Sequence, residues 1–130
     1  MEIMKESELF AYLQKEHYPD LVKSEGTYDS FDCISEMAGH YIELKCRRTH
    51  YPTLLIEQMK YAHLIQHSAE RDLLPFYINS TPQGIYSFDL TEIPQPEWVV
   101  HWMPVVTDFG NRGKKEKLVG YLDIKDAIEI

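Results

Sequence analysis

Asp32, Glu43 and Lys45 are the residues whose types and spacing could do chemistry in this chain. Glu43 and Lys45 flank Leu44 in the run from His40 to Cys46. Side chains alternate faces along a strand, so this carboxylate and ammonium project together while Ile42, Leu44 and Cys46 point the other way. Asp32 opens an apolar-rich run ahead of a small turn at Ala38-Gly39. If the two runs pair as a hairpin, Asp32 reaches the face of Glu43. Charged groups are costly on a sheet built for burial unless they hold a metal or pair with each other. Two carboxylates and an ammonium at one spot suit a hard divalent cation and a phosphate oxygen, the chemistry of phosphodiester hydrolysis. Asp29 is the rival to Asp32 as the first carboxylate, because pattern alone leaves the pairing register open.

The elements that must position these residues follow from periodicity. Leu9, Phe10, Leu13 and His17 have helical spacing, which predicts a helix over 7–17 that stops before Pro19. Residues 28–35 and 40–47 read as strands around the Ala38-Gly39 turn. Pro52 suits the first turn of a second helix running to about Arg71, with Leu55, Met59, Ala62 and Ala69 as its core stripe. Glu57, Lys60 and Leu64 form a neighbouring stripe that borders the charged face of the sheet. Residues 74–79 and 85–90 flank Thr81-Pro82-Gln83-Gly84, a hairpin turn sequence. Pro94 and Pro96 interrupt the chain, and 98–106 resumes as a strand in which Trp98 and Trp102 share a face for core or interface packing. Residues 109–117 read as a basic loop with Gly110 and Gly113, exposed and mobile, and 118–122 returns to the sheet. The order predicts one α/β domain over 1–130, a central mixed sheet flanked by helices.

At 130 residues the chain can build a core without disulfides or a structural metal. No run approaches the ~20 apolar residues that span a bilayer, and the acidic, amphipathic N-terminus does not read as a secretory signal. Cys33 and Cys46 lack a CxxC pattern and read as reduced thiols of a cytoplasmic protein. The formal net charge of −8 disfavours nonspecific binding to a polyanion. Its distribution offsets this: nine of the 21 acidic residues precede residue 37, alongside three lysines. Eight of the 13 cationic side chains gather in two groups, Lys45, Arg47, Arg48 and Lys60, then Arg112, Lys114, Lys115 and Lys117. Each group is either a nucleic-acid contact or a solvated face.

Over about residues 7–90 the pattern resembles the PD-(D/E)xK nuclease superfamily. Asp32 stands at the family's acidic position on the second core strand, and Glu43-Leu44-Lys45 matches ExK on the third. Phe31 replaces the proline of the signature, and Gln58 and Tyr61 are one residue too close for the QxxxY of some exonuclease branches. The small size and tyrosine-rich tail resemble compact phage or mobile-element nucleases. The resemblance implies a restriction-endonuclease-like αβββαβ core and a Mg²⁺- or Mn²⁺-dependent endonuclease acting on nucleic acid, DNA in the first instance. It implies no membrane partner and leaves a homo-oligomer open. Asp32, Glu43 and the Leu44 carbonyl would hold the metal, Lys45 would orient the attacking water, and Lys60 would contact phosphate. Arg47, Arg48, Lys114, Lys115 and Lys117 would contact the nucleic-acid backbone.

Other readings compete. Glu43 and Lys45 could be a surface ion pair of little energetic weight. A second [D/E]xK match, Asp123-Ile124-Lys125, lacks an upstream hairpin aspartate and reads as surface. His50, His63, His67 and His101 lack a metal-ligand spacing and read as solvated or core residues. A catalytically inactive nuclease-fold binding module, and an acidic phage-type inhibitor that mimics DNA, are the alternatives to a nuclease.

Overall fold

The computed structural model describes residues 3–24, 31–104 and 114–130, without the side chains of 103, 104, 114 and 115. Its elements run α1 (Glu6–Glu16), β1 (Val22–Lys23), β2 (Phe31–Ser35), β3 (His40–Cys46), β4 (Thr53–Glu57) and α2 (Gln58–Glu70). They continue with β5 (Leu74–Thr81), β6 (Gly84–Asp89), β7 (Val99–Pro104), β8 (Lys114–Asp123), a 3₁₀ turn (Ile124–Asp126) and β9 (Ile128–Glu129). A six-stranded mixed sheet has the order β1-β2-β3-β5-β6-β9, and a three-stranded sheet has the order β4-β8-β7.

The apolar pattern explains the layers. Leu9 and Leu13 of α1 bury against Cys33, Ile42, Leu44 and Ile78, which fill one face of the large sheet. Tyr41 and Tyr77 occupy the opposite face, where they join Leu64 of α2 and Leu54, Ile56 and Leu122 of the small sheet. β2 and β3 are antiparallel, whereas β3 and β5 are parallel, and α2 lies in the crossover between them. The β2–β3 turn is closed by Gly39, whose φ of 73° suits a residue without Cβ. Asp20 secures this turn by accepting from the Ser35 hydroxyl at 2.7 Å and the Met37 N–H at 2.9 Å.

The hairpin at Thr81–Gly84 forms as its turn residues predict, with Thr81 opposite Gly84. Five expectations need correction. Pro52 does not start a helix: residues 53–57 are a strand antiparallel to β8, and α2 begins at Gln58. Leu54 and Ile56, both buried, alternate with more exposed Thr53, Leu55 and Glu57, a period of two rather than of 3.6. The expected stripe carried the phase of Leu55 into the helix, so it was misplaced. Met59 is 78% exposed, and the inward residues are Tyr61, Leu64, Ile65 and Ser68.

Residues 114–117 belong to β8 rather than to a loop. Residues 118–122 build the small sheet instead of returning to the central one. Trp98 precedes β7 and packs edge-on to Tyr61, whereas Trp102 on that strand is 64% exposed. Residues 28–30, including Asp29, and 105–113, including Arg112, lie outside the described residues. Among the described residues no helix is long and apolar enough to cross a membrane. Cys33 and Cys46 are both free thiols.

Candidate active site

Asp32 pairs directly with Glu43 in the β2–β3 ladder. The intervening turn sets this register, and it puts both carboxylates on the sheet face that α2 covers. Both are buried. The Tyr41 hydroxyl, two residues before Glu43 on the same face, donates to Asp32 Oδ2 at 2.9 Å. Lys60, in the first turn of α2, brings Nζ to 3.5 Å from Glu43 Oε1. Lys45 lies one pleat beyond Glu43 and is exposed.

Glu43, Lys45, Arg47, Glu57, Lys60 and Tyr77 line a cleft of about 110 Å³ that Glu6 and Phe31 also border, whereas Asp32 is not among its lining residues. Leu44 also contributes to its wall, although its side chain packs in the α1-side core. Glu57 ends β4 and immediately precedes α2, so the strand–helix junction delivers Glu57 and Lys60 to the same cleft. Burial raises the Glu43 carboxyl to about 7; Lys60 opposes this rise and the Asp32 charge adds to it. Glu43 therefore exchanges a proton near neutral pH unless a cation takes the proton's place.

The remaining candidates separate into bound and open cations. Arg47 is held within the fold: Nε donates to Asn79 Oδ1 at 2.9 Å, and Nη2 donates to Tyr77 Oη at 3.0 Å and to the Leu55 carbonyl. Its guanidinium ties β3 to β5 and to the small sheet, so it shapes the cleft wall. Arg48 is exposed. Lys117 lies 3.1 Å from Glu57 Oε1, an ion pair at the cleft margin. Lys114 and Lys115 lie at the start of β8, opposite Pro104 and Met103.

Among the described residues, no three His, Cys, Asp or Glu side chains converge as a metal-binding group. His63 and His67 meet edge to face, and His101 contacts the Tyr121 hydroxyl at 3.0 Å. Asp123, of the second [D/E]xK match, caps the 3₁₀ turn by accepting from the Lys125 N–H at 2.9 Å.

Sequence reasoning missed Tyr41 and Tyr77. The period of two along β3 was a signal for Tyr41, but nothing local links Tyr77 to Glu43, its partner across a parallel pair. Comparison with protein-family models, curated proteins and solved structures returns no match.

Proposed function

We propose that this chain is a divalent-metal-dependent nuclease that hydrolyses phosphodiester bonds in nucleic acid, DNA in the first instance. The observation that carries this reading is the direct pairing of buried Asp32 with buried Glu43, beside Lys45 and Lys60. Two carboxylates and one close ammonium leave a local demand for positive charge, and a buried site meets such a demand poorly without a bound cation. The element order supports a restriction-endonuclease-like core. α1 is followed by antiparallel β1, β2 and β3, and α2 then leads to the parallel strand β5. In this reading β4 is an insertion between the third core strand and the helix.

The donor set fits Mg²⁺, which is commonly bound through one or two carboxylates and completed by water and substrate phosphate. Asp32, Glu43 and the Leu44 carbonyl would hold it. When bound, the ion polarises the scissile phosphate and lowers the pKa of a coordinated water. Lys45, the exposed ammonium of the motif, orients the attacking water and offsets charge developing on phosphate. Lys60 partly offsets the burial that raises Glu43 and adds a cation facing the phosphate. Tyr41 holds Oδ2 of Asp32 by its hydroxyl, so Oδ1 would be the oxygen offered to a cation.

A plasmid-nicking assay with Mg²⁺, with Mn²⁺ and with EDTA tests the reading, using Glu43→Gln as control. Cleavage that requires metal and disappears in the variant supports it. Metal binding without cleavage of any DNA or RNA would favour the inactive binding module.

A further inference from the structure

We infer that the larger pocket beside the cleft takes one unpaired nucleotide of the substrate strand, its base against Tyr121 and its phosphate at Arg48. This inference rests on the nuclease reading and extends it to the form of the substrate. The pocket, about 530 Å³, is walled by the segment from Arg47 to Leu55 and by Tyr121 of β8. That volume lies within the ~300–1,000 Å³ typical of small-ligand sites.

Its chemistry is aromatic and cationic together. Tyr51 is 59% exposed and Tyr121, whose ring meets His101 edge-on, is 42% exposed, so two partly open phenol rings border one concavity. Arg47 is held rigid by Asn79, Tyr77 and Leu55, whereas Arg48 is exposed and available to a phosphate. Arg47 and Leu55 line both this pocket and the cleft of Glu43 and Lys45, so the two cavities are neighbours. A strand crossing that boundary would set a phosphodiester at Glu43 and Lys45 while an adjacent base entered the pocket.

The base must be unpaired, because in a duplex its faces are covered by stacked neighbours. Stacking also suits a chain of formal net charge −8, for which phosphate attraction alone is a weak source of affinity.

The experiment measures fluorescence anisotropy in EDTA with the full chain and a labelled single strand, against the same sequence as duplex. Calorimetry with a mononucleotide accompanies it. Wild type should prefer the single strand. Tyr121→Leu should weaken single-strand binding by about 5- to 150-fold, the range for removing one base–aromatic stack. Tyr121→Phe, which keeps the ring and gives up the hydrogen bond with His101, should leave binding unchanged. If Tyr121→Leu does not fold, Tyr51→Leu, in the segment before β4, should weaken binding in the same way. Single-strand affinity unchanged by removal of the ring, or a preference for duplex, would overturn the pocket assignment while metal-dependent cleavage left the nuclease reading standing. A mononucleotide bound with no strand bound would overturn the strand assignment. Failure to bind or cleave any nucleic acid would overturn both readings.

Discussion

Asp32 and Glu43 face each other across the β2–β3 ladder, and both are buried. Cross-strand partners hold their Cβ atoms about 4.5–5.5 Å apart. Burial raises the Glu43 carboxyl to about 7, and at that spacing the Asp32 charge adds to the rise while Lys60 opposes it. Unlike an exposed cross-strand ion pair, this arrangement is stabilised by a proton, and in the proposed function a bound cation would take the proton's place.

That competition gives the first prediction. With the folded value about 7 and the ordinary value 4.5, the folded state holds the extra proton between those limits. Stability of the metal-free protein should therefore be full below about pH 4.5 for this group and decline as pH rises through 7. The decline is on the order of 3 kcal/mol. Thermal melts in EDTA across pH 5–8 check the slope. Mg²⁺ should recover most of that stability at pH 8, and apparent Mg²⁺ affinity should rise with pH across the same window.

Glu43→Gln should remove that pH dependence, raise the melting temperature at pH 8 in EDTA, and abolish Mg²⁺ and Mn²⁺ binding by calorimetry. Metal binding retained in this variant would place the ion elsewhere.

Lys45 separates structure from chemistry. Its side chain is exposed, so Lys45→Ala should leave folding and metal affinity nearly unchanged while sharply reducing cleavage. A near wild-type rate would return Lys45 to a solvated position on β3.

Arg47 behaves as a structural residue. Replacing it with alanine strips donors from Asn79 Oδ1 and the Tyr77 hydroxyl, and leaves the Leu55 carbonyl with the Tyr77 hydroxyl as its remaining side-chain donor. Unsatisfied buried acceptors cost about 1–3 kcal/mol each, so Arg47→Ala should lower the urea midpoint by several times the effect of Arg48→Ala. Equal midpoints would mean that the Arg47 hydrogen bonds contribute little.

Lys114 and Lys115 provide a test of phosphate binding away from the cleft. Their joint replacement by alanine should flatten the slope of log affinity against log salt by roughly 0.9 for each phosphate of duplex DNA that they neutralise. Metal binding should be unaffected. A slope equal to wild type would make both lysines solvated charges.

The hairpin carrying Asp32 and Glu43 was legible in the sequence because its information is local. Alternation along 40–46 fixes which side chains share a face and Gly39 permits the turn, while the register that sets Asp32 opposite Glu43 is seen only in the fold. α1, the β5–β6 hairpin and the placement of Lys60 toward Glu43 were legible for similar reasons of period and turn chemistry. Residues 53–57 were not. A short apolar run after a proline suits a helix start as well as a buried strand, and its partner in β8 lies more than sixty residues away. The small sheet, the Glu57–Lys117 ion pair and the pocket under Tyr121 all depend on that distant pairing. Arg47 likewise looked like an outward cation until Asn79, Tyr77 and the Leu55 carbonyl converged on it from other strands. Short-range periodicity thus placed Glu43 and Lys45 on one face and offered Asp32 or Asp29 as the partner, whereas the register and the interactions between residues far apart in sequence were decided by the tertiary structure, because no local pattern records where a distant strand returns.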